Sequence, residues 1–368
     1  MKTYLLTGAA GFIGSNFIKY MLKKYPERMY ILLDKLTYAA NLKNIEEELK
    51  KANVIFVQGD ICDSLLVKEI FVKYNIDYVV NFAAESHVDR SIANPRIFLE
   101  TNILGVQNLM DRARECWTTG KDEKGYPIYA SGKKFLQIST DEVYGSLEKD
   151  IPDGKELSFQ EEDLNQLIYG RRETKAYGNQ FFTEETPVNP NSPYSVSKTS
   201  ADLLVKAYYE TYHFPMNITR CSNNYGQFQH EEKLIPLMIK SALSGKELPV
   251  YGDGMNVRDW LYVEDHCKAI DMVLSSGRNG EVYNIGGFNE KTNLYIIHTI
   301  LEEIAKYEKS KPRTELIRFV EDRLGHDRRY AINPRKIVQE LGWYPETTFE
   351  DGIKQTIQHF MKEWKARN

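Results

Sequence analysis

Cysteine, tryptophan and long apolar runs are scarce in this chain, and each scarcity closes off a class of protein. Only four cysteines occur, Cys62, Cys116, Cys221 and Cys267, with no CxxC pair and no Cys/His grouping at metal-ligand spacing. A disulfide framework and a metal module are therefore excluded as the basis of the fold. Four well-separated thiols read instead as reduced, core-filling side chains of a cytoplasmic protein. No apolar run reaches the length of a membrane-spanning helix, and residues 1–7 lead straight into glycines, leaving no room for a signal peptide. Charge is nearly balanced, 48 Lys+Arg against 52 Asp+Glu, so no basic excess points to nucleic acid.

What is present is ordinary globular material: 368 residues, 42% hydrophobic and 27% charged, with 23 Gly and 13 Pro. Tyrosine is the outlier, with 24 against 16 Phe and 4 Trp. The length fits two domains, or one large α/β domain with an appended lobe. Short apolar runs at 4–6, 30–33, 54–57, 78–82 and 135–138 read as buried strands. Between them, 12–24, 64–74 and 95–116 carry apolar residues at helical spacing. Such alternation predicts an α/β fold, a doubly wound parallel sheet with helices on both faces. Residues 218–221 and 282–285 read as later strands of that sheet. The expected division is 1–215, rejoined by segments near 216–224 and 255–286, and a mainly separate lobe over 225–368. Two stretches break the rhythm. Residues 118–134 read as a polar loop, and 146–185 as a charged insertion, either a plain surface excursion or a lid.

Gly8-Ala9-Ala10-Gly11-Phe12-Ile13-Gly14 ends the first strand and opens the first helix. Glycines at such a turn permit close approach of a pyrophosphate to the helix N-terminus, although any tight turn also uses them. Asp34 ends the second strand, about 20 residues beyond Gly14, where a carboxylate suits ribose hydroxyls and repels a 2′-phosphate. The pattern favours NAD over NADP, with Lys35 as a counterweight. Tyr194 and Lys198, spaced i, i+4 on a helix expected from Pro193, share one face. A phenol ionises at about pH 10, and a neighbouring ammonium favours the phenolate. Ser139-Thr140-Asp141-Glu142 follows the strand at 135–138, at the sheet edge where α/β folds bind ligands. A solvated acidic turn is the plain reading. Beside a Tyr/Lys pair and a nicotinamide, the same residues supply a hydroxyl, an acid and a base.

These segments, with AAESHVDRSI, TDEVYG, SPYSVSK, RCSNNYG, EKLIP, LPVYGDG, RDWLYVEDH, YNIGG and GHDRRYAI, span residues 3 to 332. The chain thereby resembles the dTDP-glucose 4,6-dehydratases of the extended short-chain dehydrogenase/reductase superfamily. The resemblance implies a Rossmann-type doubly wound sheet with a smaller, mixed α/β substrate-binding lobe. It implies coenzyme contacts from Gly8, Gly11, Phe12, Ile13 and Gly14, from Asp34, Lys35, Leu36 and Thr37, and from Asp60 and Ile61. Ala83, Ala84, Glu85, Ser86, Thr101, Tyr194, Lys198 and Asn224 complete that set. A nucleotide-sugar pocket is implied from Ser86, Thr140, Asn223, Lys233, Leu234, Pro249, Tyr251, Arg258, Asn293, Arg323 and His326, with no metal.

The implied chemistry is a redox-neutral elimination. Tyr194, tuned by Lys198 and assisted by Thr140, deprotonates the sugar 4-hydroxyl during oxidation by NAD. Glu142 then removes the C5 proton, and Asp141 protonates the departing 6-hydroxyl. A homodimer built on helices at 95–116 and 193–212 is also implied. Two other readings stay open: a 4-epimerase or decarboxylase of the same superfamily, and a non-catalytic NAD-binding protein. The Asp141-Glu142 pair speaks against both, because neither needs an acid and a base there. The chain departs from the family pattern at Gln227–Glu231, at Leu324 and in the long 146–185 segment, which touches the pocket and not the catalytic set.

Overall fold

Runs rich in Val, Ile, Leu and Tyr form strands, and stretches with apolar residues at helical spacing form the helices between them. The structure is a computed structural model that describes residues 2–149, 155–156 and 175–367. In chain order the strands are β1 (Thr3–Thr7), β2 (Met29–Asp34), β3 (Val54–Gln58), β4 (Tyr78–Asn81), β5 (Thr118–Lys121), β6 (Pro127–Tyr129), β7 (Lys134–Thr140) and β8 (Lys155–Glu156). They continue as β9 (Lys175–Ala176), β10 (Met216–Cys221), β11 (Asn223–Tyr225), β12 (Leu248–Tyr251), β13 (Val257–Tyr262), β14 (Val282–Ile285), β15 (Glu290–Thr292) and β16 (Ile317–Val320). The helices that matter most are α1 (Phe12–Lys24), α2 (Ser64–Tyr74), α3 (Val88–Ala93), α4 (Arg96–Leu99), α5 (Val106–Trp117) and α6 (Pro193–Tyr212).

The chain divides into two units, Met1–Val143 with Pro187–Arg220 and Cys267–Tyr283, and Tyr144–Thr186 with Cys221–His266 and Asn284–Asn368. A seven-stranded sheet runs in the order β14-β10-β7-β4-β1-β2-β3. β1 pairs in parallel with both β2 and β4, β2 with β3, and β4 with β7. From β1 the chain winds outward through β2 and β3, then returns to β4 and winds the other way. This is the doubly wound Rossmann arrangement, with its strand order reversing between β1 and β4, where such folds bind ligands at the carboxyl ends. Leu5, Ile31, Val79, Phe135 and Ile218 form the core with Phe71 of α2, Met110 and Trp117 of α5, and Val205 of α6.

In the second unit β11, β13 and β15 form a three-stranded sheet, and β12 pairs with β16. Tyr225, Trp260 and Tyr262 pack there with Ile235, Ile239, Ile296, Ile300 and Phe349. The sequence reading returns a segment near 255–286 to the first domain; β14 and β10 do join the first sheet, but β13 joins the three-stranded sheet of the second unit, and of that segment only Cys267–Tyr283 lies in the first unit. β13 is buried along its whole length, Arg258 and Asp259 included, and burial alone carries no mark of which sheet a strand joins.

Three further expectations are revised. The stretch 118–134 contains a β5–β6 hairpin, because Asp122 accepts the N–H groups of Lys124 and Tyr126 while Gly125 turns the chain at φ 88. The helix at 95–116 is α4, a π-turn over Glu100–Gly105, then α5. Cys62 and Cys116 are exposed, so only Cys221 and Cys267 fill core space. Of the insertion at 146–185, residues 150–154 and 157–174 lie outside the described residues. Its far end is tied down by Arg329, fully buried, which grips Glu290 through two nitrogens at 2.8 and 2.9 Å and donates to the Gln180 carbonyl at 2.8 Å.

The tyrosine excess has a partial structural account. Tyr4 stacks on Tyr78 with centroids 4.8 Å apart and lies 5.5 Å from Tyr30. Nearby, the buried Asp271 carboxylate accepts from Lys24 at 2.6 Å and from the Tyr20 and Tyr25 hydroxyls at 3.2 Å. Tyrosine suits such a layer because its ring fills the core margin while its hydroxyl finds a partner.

Candidate active site

The Gly-rich turn is shaped by close backbone packing. Gly8 has φ 63, and a Cβ there would lie 2.7 Å from the Ala83 nitrogen. A Cβ on Gly14 would lie 2.4 Å from the Gly8 carbonyl oxygen. No side chain fits at either position, so β1, the turn and α1 meet as closely as their backbones allow. α1 starts at Phe12 with no side chain capping it, which leaves its first N–H groups and positive dipole end available. That cradle fits a diphosphate.

Asp34, buried at the end of β2, accepts the Ala10 N–H at 2.9 Å and the Leu36 N–H at 2.8 Å. Burial raises its pKa, and those two N–H groups oppose the rise. The carboxylate thus joins the Gly-rich turn to the loop carrying Lys35, Leu36 and Thr37, with acceptor capacity left for ribose hydroxyls. Lys35 pairs with Asp60 at 2.6 Å, so its charge is engaged locally. Burial pushes the Asp60 carboxyl up, but the Lys35 and Cys62 hydrogen bonds outweigh it and hold the pKa low. Ile61 is buried beside it and accepts from Asn108 through its carbonyl at 2.7 Å. Ala83 donates its N–H to the Thr7 hydroxyl at 3.2 Å.

Thr140, Asp141 and Glu142 sit where β7 becomes a single helical turn, Asp141–Tyr144. The Thr140 hydroxyl donates to Asp141 at 3.3 Å and accepts the Glu142 N–H at 3.3 Å. α6 begins with a capping box between Ser192 and Ser195 and has Pro193 in its first turn, which fixes where Tyr194 emerges. Lys198, buried, donates to the Ile138 carbonyl at 2.7 Å, two residues before Thr140. The Tyr/Lys helix and the Thr-Asp-Glu turn are therefore tied together at the end of β7.

Two positioning residues escape the sequence reading. Asn102, in the π-turn next to Thr101, accepts the Glu85 N–H at 2.9 Å and donates to the Glu85 carbonyl and the Ser197 hydroxyl at 3.0 and 2.9 Å. Ser197 in turn donates to the Tyr194 carbonyl at 2.6 Å. Ser91 accepts the Tyr194 N–H at 3.1 Å. The π-turn explains the break in the expected helix, since π-turns recur where a helical residue is redirected toward a site. The available signal was an asparagine four residues from both Phe98 and Val106, on the apolar face of the expected helix.

Ala84 and Ser86 follow β4 in the first unit, and the remaining residues implied for the nucleotide-sugar pocket, with Asn224, lie in the second unit. Asn223 and Asn224 occupy β11, paired with β13. Asn224 is held by His266 at 2.8 Å, by the Ser222 carbonyl at 3.0 Å and, through its own carbonyl, by Gln229 at 2.9 Å. Complete burial pushes the His266 pKa down to about 3, so the ring is neutral. Lys233 and Leu234 begin a helix, Leu234–Leu243, and Asn293 begins another, Asn293–Glu308. Pro249 and Tyr251 lie on β12. Arg258 donates to the Val257 and Asp327 carbonyls at 2.8 and 2.9 Å and stacks on Tyr330 at 4.3 Å. His326 lies edge-on to Tyr251 at 6.3 Å and 2.6 Å from Asp322. Burial, then the charges of Arg323 and Arg258, push the His326 pKa down to about 4. Tyr251, Arg258, Arg323 and His326 thus converge as two cations and two flat rings, matching an anion joined to an aromatic base.

A family model described as GDP-mannose 4,6 dehydratase matches residues 5–162 and 168–356. The dTDP-glucose 4,6-dehydratase of Salmonella typhimurium is 46% identical over 361 residues, 97% of this chain and 92% of that protein. The Bacillus anthracis dTDP-glucose 4,6-dehydratase crystallised with NAD has a TM-score of 0.81 at 43% identity, covering 99% of this chain and 98% of that one. The Streptomyces venezuelae dTDP-glucose 4,6-dehydratase with NAD and TYD bound gives 0.83 at 38% identity, with the same coverage.

Asn102→Ala removes three buried hydrogen bonds around the Tyr194 helix and should cost about 2–3 kcal/mol of stability in urea unfolding. A loss below about 0.5 kcal/mol would contradict the bridging role.

Proposed function

The chain belongs to the dTDP-glucose 4,6-dehydratase family, and from that premise we propose that it is the hydro-lyase that turns dTDP-glucose into dTDP-4-keto-6-deoxyglucose. NAD is recycled within each turnover, and the product is a deoxysugar precursor. The observation that carries this reading is the Asp141-Glu142 pair directly after Thr140, on the same turn that Lys198 approaches through Ile138. An epimerase expels no 6-hydroxyl and has no use for an acid and a base at that place.

Gly8, Gly11 and Gly14, the N-terminus of α1 and Asp34 would hold NAD, with Thr37, Asp60, Ala84, Ser86, Thr101 and Asn224 among its further contacts. Bound NAD supplies the acceptor that removes hydrogen from C4 and the donor that restores it at C6. Tyr194 takes the 4-hydroxyl proton, Thr140 holds that oxygen and Lys198 favours the phenolate. The resulting 4-ketone acidifies the C5 hydrogen, which Glu142 removes as a proton. Asp141 gives its proton to the departing 6-hydroxyl, and water leaves. A proton returned to C5 completes the product. Arg258 and Arg323 recognise the diphosphate, Tyr251 and His326 the thymine side, and Asn223, Lys233, Leu234, Pro249 and Asn293 complete the pocket.

The reading includes a cytoplasmic enzyme. No helix among the described residues is long and apolar enough to cross a membrane. It also includes a homodimer, supported by exposed apolar side chains on the two helical stretches concerned: Leu99 and Leu104 on one, Val196 and Leu203 on α6.

Purified protein given dTDP-glucose without added coenzyme should form the 4-keto-6-deoxy sugar. Unchanged or merely epimerised sugar would refute the assignment. Glu142→Gln should still oxidise C4 and so accumulate the absorbance of reduced coenzyme while product formation stops. Absence of that signal would reassign the base. Light scattering should give twice the protomer mass for the wild type and the protomer mass for Leu203→Glu; a monomeric wild type would remove the dimer.

A further inference from the structure

Arg90 and Tyr38 have no role in the account above, yet they make one of the closest side-chain stacks in the first unit. The guanidinium carbon of Arg90 lies 3.5 Å from the centroid of the Tyr38 ring, a face-on planar contact of the kind that arginine, and not lysine, makes with its delocalised plane. Arg90 is on α3, in the segment that follows β4, and Tyr38 is in the loop that follows β2. In the sheet β4 and β2 are the two neighbours of β1. Their carboxyl ends are two strand spacings apart, roughly 10 Å, and the Gly8–Gly11 turn leaves β1 between them. The stack therefore links the two loops that flank the Gly-rich turn.

The loop carrying Tyr38 is held in an unfavourable shape. Leu36 has φ 58, in the left-handed region that a branched L-residue avoids. It persists there because Asp34 accepts its N–H at 2.8 Å. At the other end of the loop, Asn41 donates its N–H to the Ala10 carbonyl at 3.0 Å, on the Gly-rich turn itself. Arg90 is exposed, and ordering an exposed arginine sacrifices side-chain freedom that the hydrophobic core does not require. Backbone strain and an ordered surface cation both converge on this one pair.

We propose that the Tyr38–Arg90 stack is a latch that retains the dinucleotide, and that the stack must open for NAD to exchange. The inference rests on the coenzyme reading of the preceding section. It suits a redox-neutral reaction, in which the coenzyme returns to its starting state and has no reason to leave.

The test loads purified full-length protein with isotope-labelled NAD, chases with excess unlabelled NAD and follows the label retained on protein. Tyr38→Ala and Arg90→Ala should each release label on the order of tenfold faster than wild type. The double variant should be no faster than either single, because each change breaks the same contact. Tyr38→Phe keeps the ring and should release label at the wild-type rate. Melting temperatures of the coenzyme-free proteins should coincide. Wild-type release rates in both alanine variants, additive effects in the double variant, or matching losses in coenzyme-free melting would each overturn the latch while leaving the coenzyme reading intact. A wild type that retains no labelled NAD would overturn both.

Discussion

The structure depends first on a place where no side chain fits. Gly8 approaches the backbone of Ala83, and Gly14 approaches the carbonyl of Gly8, at distances that a single Cβ would violate. This contact seats the start of α1 against β1 and β4 at the point where strand order reverses. With the turn placed, the Asp34 carboxylate reaches the Ala10 N–H and fixes the next loop through Leu36. The edge proposed to hold the coenzyme is thus built from backbone proximity, and the charged side chain secures an arrangement that the glycines make possible.

The proposed catalytic groups are positioned by buried polar contacts. Lys198 is committed to the end of β7, Asn102 ties the Glu85 backbone to Ser197, and Ser91 caps the Tyr194 N–H. Each bond adds little net stability, but leaving any of these groups unmet in the interior is costly, so the network tolerates one arrangement. In the second unit a neutral, fully buried His266 does the same for Asn224. Elimination needs an acid, a base and a phenol within one small region, and this scaffold restricts their freedom before substrate arrives.

Legibility from sequence followed periodicity. The strands of the first sheet and α1, α2 and α6 could be read because apolar spacing records which face is buried. The Tyr194–Lys198 spacing and the Asp141-Glu142 pair could be read because their chemistry is local in the chain. What could not be read depends on contacts distant in sequence or on a turn without apolar alternation. Burial along the strand at 257–262 does not reveal which sheet it joins, and the π-turn around Asn102 exists for partners 17 and 95 residues away. The 118–134 hairpin was hidden in polar residues, because its turn is made by one aspartate and one glycine, with no apolar alternation. Tyr20 and Tyr25 on Asp271, with the nearby layer of Tyr4, Tyr30 and Tyr78, account for five of the 24 tyrosines that composition flags.

The central claim is that one protein carries out oxidation, elimination and reduction on a single sugar without releasing its coenzyme. Incubating dTDP-glucose deuterated at C4 with the enzyme, mixed with an equal amount of unlabelled substrate, tests it most directly. The account predicts that the deuterium is recovered at C6 of the same molecules that carried it at C4, with unlabelled molecules remaining unlabelled there. Deuterium lost to solvent, or scrambled between labelled and unlabelled molecules, would contradict it.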